Sequence, residues 1–292
     1  MTNRSSAPDL PEFITRQLPE GIQRYCLNVH GRSMHVMEIG SGRPVLMQHG
    51  NPTWGFLYRN VARAVLGHDV RVILPDLMGL GFSDRVAADQ HSIAAHGRWL
   101  GAAIDALELD GLVVVCQDWG GPIALRAMAD RLDRLAGLVV LNTVLGPPKP
   151  TFKPTAFHRL AQTPILSDLI FRGLGFPQRG LFLAQGRRGS ISGDVARAYQ
   201  HPLRGLENNV APLALARMVP DSMDHPSVAS LDIVKRTVEA FSGPSAIVWG
   251  DKDPVLGRLR KRTQRMLPDA PCTVTQAGHF LQEEVPGQIG AA

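Results

Sequence analysis

Val113-Val114-Val115-Cys116-Gln117-Asp118-Trp119-Gly120-Gly121-Pro122 is the stretch on which the reading of the chain turns. Three β-branched residues followed by Cys116 favour an extended strand. Gly120 and Gly121 permit a sharp turn and a close approach of backbone to backbone, and a helix-like segment follows over Gly121–Ala129. Asp118 stands at the tip of this strand–turn–helix, near a helix N-terminus whose partial positive charge favours a carboxylate. Taken alone, the stretch has two readings. Asp118 is the N-cap of the helix, or it is a nucleophile displayed on an elbow, at the position where a serine is more usual.

Outward from this point the pattern repeats. Short apolar runs bounded by turn residues occur at Pro44–Gln48, Arg71–Pro75, Leu112–Gln117, Leu138–Leu141 and Ala246–Trp249, the signature of buried parallel strands. Helix-like segments lie between them: Tyr58–Val65, Ile93–Ala106, Gly121–Ala129 and Val255–Met266. Alternation of this kind predicts an α/β chain with a doubly wound, mostly parallel sheet. Tyr25–Val29 and Met34–Ile39 alternate more regularly and predict an antiparallel edge hairpin around Gly31. After Leu141 the alternation stops. From Pro147 to about Ser227 the sequence is helical in character, interrupted by Pro154, Pro164, Pro177, Pro202 and Pro212. The expected organisation is therefore a core over residues 1–146 and 228–292, with an inserted helical cap over 147–227. Ligands of open α/β sheets bind beyond the carboxyl ends of the strands, so a cap leaving from such an end would roof the site.

Two later motifs bear on Asp118. Trp249-Gly250-Asp251-Lys252-Asp253-Pro254 follows one apolar run, and Gln276-Ala277-Gly278-His279-Phe280 follows another strand-like stretch. Nucleophile, acid and histidine then occur in the chain order Asp118, Asp253, His279, the order of the α/β-hydrolase fold and not of the other triad folds. Gln48-His49-Gly50-Asn51-Pro52-Thr53 lies after an earlier strand, where the backbone amides that hold an oxyanion belong. The Gly79-Leu80-Gly81 of the next loop lacks the rest of a dinucleotide pattern and reads as structural.

Composition narrows the function classes. The chain has 292 residues, 44% of them apolar and 20% charged, which suits a globular domain with a sizeable core. The formal net charge of +5 is carried mainly by arginine. Arg187–Arg188 and Arg258–Arg262 are scattered without interleaved aromatics, so they read as a solvated surface that would draw anions, not as a nucleic-acid site. Cys26, Cys116 and Cys272 form no C-x-x-C pair, so neither a zinc nor a redox motif is expected, and sparse cysteine suits a reducing compartment. The N-terminal stretch has no apolar h-region and no apolar run reaches the length of a membrane span. A cytoplasmic, non-membrane protein is expected, with no metal or organic cofactor; a homo-oligomer is left open.

The stretches Val45–Asp84, Val113–Leu141 and Ile247–Pro286 together resemble the haloalkane dehalogenases. That resemblance implies hydrolysis of haloalkanes to alcohol, halide and a proton through an alkyl ester on Asp118, with a small halogenated hydrocarbon as substrate. It implies Trp119 as one halide donor, through its indole N–H, and Asn51 as the second, because Trp54, Trp99, Trp119 and Trp249 all lie outside the cap. One branch of the family carries a glutamate as the acid just after the strand Leu138–Leu141. Asn142 stands there, so the resemblance implies Asp253 as the acid, with Asp251 as a rival, and points to the third subfamily, which pairs an Asp acid with an Asn–Trp halide pair. An epoxide hydrolase also uses an elbow aspartate, but needs two cap tyrosines, and of Tyr25, Tyr58 and Tyr199 only Tyr199 falls in the cap. A fluoroacetate dehalogenase would have arginine in place of Trp119, and a carboxylesterase would have serine in place of Asp118. A non-catalytic hydrolase-like binding module would have lost part of the triad. The family usually ends in a full helix after Glu-Glu-Val-Pro, so a short final helix and some uncovered core edge are expected.

Overall fold

Strand-forming runs of the sequence assemble into one nine-stranded sheet. In the computed structural model the strands are β1 (Arg4–Ser6), β2 (Gln23–Val29), β3 (Arg32–Gly40), β4 (Arg43–Gln48), β5 (Val70–Pro75), β6 (Leu112–Asp118), β7 (Leu135–Thr143), β8 (Ser245–Gly250) and β9 (Cys272–Thr275). Their spatial order is β1-β2-β3-β5-β4-β6-β7-β8-β9. β1, β2 and β3 pair antiparallel, β3 pairs antiparallel with β5, and every pairing from β5 through β4 to β9 is parallel. Residues 4–152 and 156–292 are described; Met1 to Asn3 and the cap's Pro154 lie outside them.

The helices are α1 (Glu12–Thr15), α2 (Arg59–Val65), α3 (Ile93–Ala106), α4 (Gly120–Met128), α5 (Ala156–Gln162), α6 (Gly193–Gln200), α7 (Val210–Arg217), α8 (Ser227–Ala240), α9 (Arg260–Met266) and α10 (Pro286–Gly290). Because side chains alternate across a strand, β6 sends Val114 and Cys116 into one apolar layer and Val115 into the other. The first layer includes Leu100 and Ile104 of α3, Ile123 of α4 and Val234 of α8. The second includes Val61 of α2, Tyr199 of α6 and Ile289 of α10. Burial on both faces is why the parallel strands read as continuous apolar runs.

Between β7 and α8 the described chain is helical. α5, a π-helical turn at Asp168–Gly173, α6 and α7 follow one another with short 3₁₀ turns between. Ala161, Phe171, Leu213 and Ala216 form a third, small apolar cluster there, with Phe157 and Phe176 packed against it. α6 is fastened to the sheet side. Its Ala198 carbonyl accepts from Trp54 Nε1 at 3.1 Å, and the Tyr199 hydroxyl donates to Glu283, which also accepts two bonds from the buried Arg59 guanidinium.

Two local expectations are adjusted and a third is met. β1 lies outside the β2–β3 hairpin, so the hairpin is not itself the edge. The segment read as one helix over Val255–Met266 becomes α-helical only at Arg260. Asp253 Oδ1 holds the Val255 amide and Trp249 Nε1 holds the Gly257 carbonyl, so those groups cannot enter a helical ladder. The short final helix is observed as α10, which packs against α2 with Ile289 buried.

Candidate active site

Asp118 ends β6 in the left-handed region, at φ +50, a conformation that costs a residue with a Cβ roughly 1–3 kcal/mol and persists only where its surroundings over-determine it. The surroundings are tight. A Cβ on Gly120 would overlap the Gln48 carbonyl, one on Gly121 would overlap Thr143, and one on Gly50 would overlap Asp118 itself. Thr143 Oγ1 donates to the Asp118 carbonyl, and the β6–β7 register shifts between Cys116 and Asp118. The capping position of α4 belongs to Trp119, with no side-chain cap. The Asp118 carboxylate points instead to the loop after β4, where Oδ1 accepts from the Asn51 backbone N–H at 2.8 Å.

The loops after β8 and β9 bring a second carboxylate and an imidazole to the same place. His279 Nδ1 lies 2.9 Å from Asp253 Oδ2, and its Nε2 lies 3.5 Å from Asp118 Oδ2. Asp253 is buried, and Asn142 Nδ2 donates to its Oδ2 at 2.7 Å, while Oδ1 accepts the Val255 amide. Burial opposes ionisation of Asp253, but His279, Asn142 and that amide outweigh it and its pKa is lowered. Burial likewise disfavours an imidazolium at His279; Asp253 and Asp118 override this and raise its pKa from 6.5 to about 10. The Gln117 amide nitrogen lies 3.2 Å from His279 Nε2 and donates to the His279 carbonyl at 3.1 Å, and the His279 N–H donates to Ala184 O at 2.7 Å. Asp251, the rival acid, is exposed and faces Arg260 at 3.2 Å.

Asp118 and His279 line a cavity of about 790 Å³, with Asp253 buried behind His279. Asn51 and Trp119 both line it. Among the described residues the Trp119 indole N–H donates to no protein acceptor, whereas Asn51 Nδ2 sends one N–H to Pro212 O at 3.0 Å. Of the large apolar side chains between β7 and α8, Phe152, Phe157, Phe176 and Leu181 line the cavity, while Leu174 and Phe182 are 59% and 40% exposed. The loop Asp76–Asp84 is structural: Asp76 accepts from His35, Gly55 and Phe82. His49 is neutral by its partners, with Nε2 accepting from Leu77 N and Nδ1 donating to Gly50 O; burial lowers its pKa.

Residues 43–286 match the family model of the alpha/beta hydrolase fold. Haloalkane dehalogenase 2 of Mycobacterium tuberculosis is 33% identical over 267 residues, 89% of each chain. The chain belongs to the haloalkane dehalogenases. The haloalkane dehalogenase of Psychrobacter cryohalolentis is 29% identical over 258 residues, covering 86% of this chain and 82% of the relative. The tetrameric haloalkane dehalogenase DpaA of Paraglaciecola agarilytica NO2 superposes with a TM-score of 0.81 at 27% identity, covering 98% of this chain and 97% of that one.

Within this dehalogenase fold, two polar residues beside the candidate triad escaped the sequence reading. Asn142 was considered only as a missing acid; it is a strut that donates to Asp253 and to Gly250 O and accepts from Gly250 N. Gln117 braces His279 from the strand position before the elbow. A buried amide at the carboxyl end of a central strand was the available signal, since buried polar side chains are found where they have partners. Among the described residues no three His, Cys, Asp or Glu side chains are grouped to hold a metal, and no helix is long and apolar enough to cross a membrane.

Proposed function

We propose that the chain hydrolyses carbon–halogen bonds of haloalkanes, and that Asp118, His279 and Asp253 are its triad with Asn51 and Trp119 as halide donors. The observation that carries this is the meeting of the Asp118 carboxylate, held at one oxygen by the Asn51 amide, with His279, itself bonded to the buried Asp253, in the lining of a largely apolar cavity. An sp³ carbon bearing halogen offers no carbonyl for a serine alkoxide. A carboxylate attacks it from the rear without losing a proton: the Asp118 oxygen–carbon bond forms, the carbon–halogen bond breaks, and the electron pair leaves with halide. The unpartnered Trp119 N–H and the second N–H of Asn51 Nδ2 stabilise that developing charge.

Water then attacks the ester's carbonyl carbon. His279 takes its proton and Asp253 holds the imidazole and stabilises its cation; backbone amides including that of Asn51 hold the oxyanion, and alcohol leaves with Asp118 restored. In this reading residues 147–227 act as the roof that selects substrate, and the Asn–Trp donor pair with an Asp acid supports a third-subfamily assignment. An epoxide hydrolase is disfavoured further by Tyr199, whose hydroxyl is committed to Glu283 away from the cavity. The test is bromide release from a panel of bromoalkanes beside styrene oxide. His279→Ala should release about one equivalent of bromide and stall as an alkyl adduct on the peptide containing Asp118. Epoxide opening faster than bromide release, or an adduct on another residue, overturns the assignment.

A further inference from the structure

The cavity has two chemically different ends. The buried His279 and the partly buried Asp118 line its interior; the exposed Lys149, Arg258, Lys261 and Arg265, with the half-buried Arg262, line it toward solvent. Among its described lining residues Asp118 is the one acidic side chain. Four of the five cations, Arg258, Lys261, Arg262 and Arg265, come from the single segment that turns out of β8 into α9, and all four line the cavity. Arg260, from the same segment, is 3.2 Å from Asp251. The remaining cations form no ion pair with any described residue; Arg258 Nη1 donates to the Val255 carbonyl at 3.3 Å and Arg262 donates to the Pro147 carbonyl. Arg262 is half-buried, and that burial lowers its pKa with no acid to compensate. Like charges three or four residues apart on a helix are destabilising, so the segment gains nothing internally from the cluster. Lys149, Arg258, Lys261 and Arg265 are exposed, as a solvated basic surface requires, and they line the cavity as well.

We propose that this rim binds the anionic end of a substrate whose carbon–halogen end lies at Asp118, so that the preferred substrates are ω-halogenated carboxylates or sulfonates. The inference rests on the dehalogenase reading and narrows its substrate class. Released halide alone does not account for the rim, since a small ion held by Trp119 and Asn51 cannot also reach it. An extended chain with an anionic head spans both ends, its methylene groups covered by the apolar walls.

The experiment compares ω-bromocarboxylates from 4-bromobutanoate to 10-bromodecanoate with ω-bromo alcohols of equal length, by bromide release, in the wild-type chain and in Arg258→Gln/Lys261→Gln/Arg265→Gln. At low salt the wild type should favour the acids in kcat/KM by about tenfold, as expected for a few exposed charge pairs acting together. The preference should shrink as the screening length falls from about 30 Å at 0.01 M to about 8 Å at 0.15 M salt, and the variant's acid-to-alcohol ratio should approach one. Calorimetric titration with decanoate, which has no halogen, reads the rim alone and should lose its signal in the variant. If bromo alcohols turn over and the acids are no better, or if the acid preference survives both salt and substitution, the proposal is overturned while the dehalogenase reading stands. If no bromide is released but decanoate binding still depends on the three cations, the reaction assignment fails and the anion rim is retained.

Discussion

Asp118→Asn should lower the pKa of His279 by about one to three units. The imidazole stands between two carboxylates, 2.9 Å from Asp253 and 3.5 Å from Asp118, and these raise its pKa to about 10 against the opposing effect of burial. At neutral pH it is therefore a cation in the resting site, and a cation cannot deprotonate water. In the proposed reaction ester formation would remove the charge of Asp118, and Asp118→Asn reproduces that loss. Two unit charges 3.5 Å apart interact by about 1 kcal/mol at the dielectric of water and about 5 kcal/mol at an effective dielectric of about 20. With one pKa unit equal to about 1.4 kcal/mol, this gives the stated range. The assay is an NMR pH titration of the imidazole, with His279 assigned by difference from His279→Gln. In the wild type the signal should stay at its cationic limit through neutral pH and titrate near 10; in Asp118→Asn it should titrate between about 7 and 9. A wild-type ring already neutral at pH 7, or identical titrations in the two proteins, would refute the argument. If it holds, losing the Asp118 charge raises the fraction of neutral imidazole available for the step that needs a base.

Three further outcomes are expected. Trp119→Phe keeps most of the side-chain volume but removes the indole N–H, and should slow the bromide burst by roughly 2–4 kcal/mol of barrier, as for loss of one donor at a developing anion; an unchanged burst in rapid-quench measurements places the halide elsewhere. Asn142→Leu withdraws the 2.7 Å donor from Asp253 and both bonds to Gly250, and should cost about 1–3 kcal/mol in urea unfolding with a lower kcat; an unmoved midpoint would show that the strut is dispensable. Arg59→Met strands the buried Glu283 carboxylate and should destabilise the fold by about 3–5 kcal/mol, whereas the double variant Arg59→Met/Glu283→Leu should recover much of that loss; equal melting of the single and double variants contradicts the account.

Local chemistry decided what could be read in advance. α3 runs over Ile93–Ala106 as its periodicity indicated, because Ser92 caps it through the Ala95 amide and its apolar face meets the sheet. The elbow was legible because only small residues fit at 120 and 121, and the two later motifs because turn residues follow strands. What escaped depended on pairs distant in sequence. Trp249 takes the Gly257 carbonyl and delays α9, Asn142 joins two loops, and the cations after Asp253 line a cavity shared with residues as distant in the chain as Asn51 and Trp119. Likewise the apolar Leu174 and Phe182 look like lining residues by type, and only their place on the folded roof turns them outward.

The small apolar cluster of Ala161, Phe171, Leu213 and Ala216 makes part of the roof an interchangeable component. Its packing is largely self-supplied, so substitutions at its cavity-facing side chains, such as Phe157 and Phe176, trade shape within the roof and leave the sheet's two layers alone. α6 is not interchangeable in the same way, since Ala198 and Tyr199 are bonded into the core beside the loop that carries His279. Libraries aimed at new substrates should therefore vary the α5 side of the roof and keep α6 fixed.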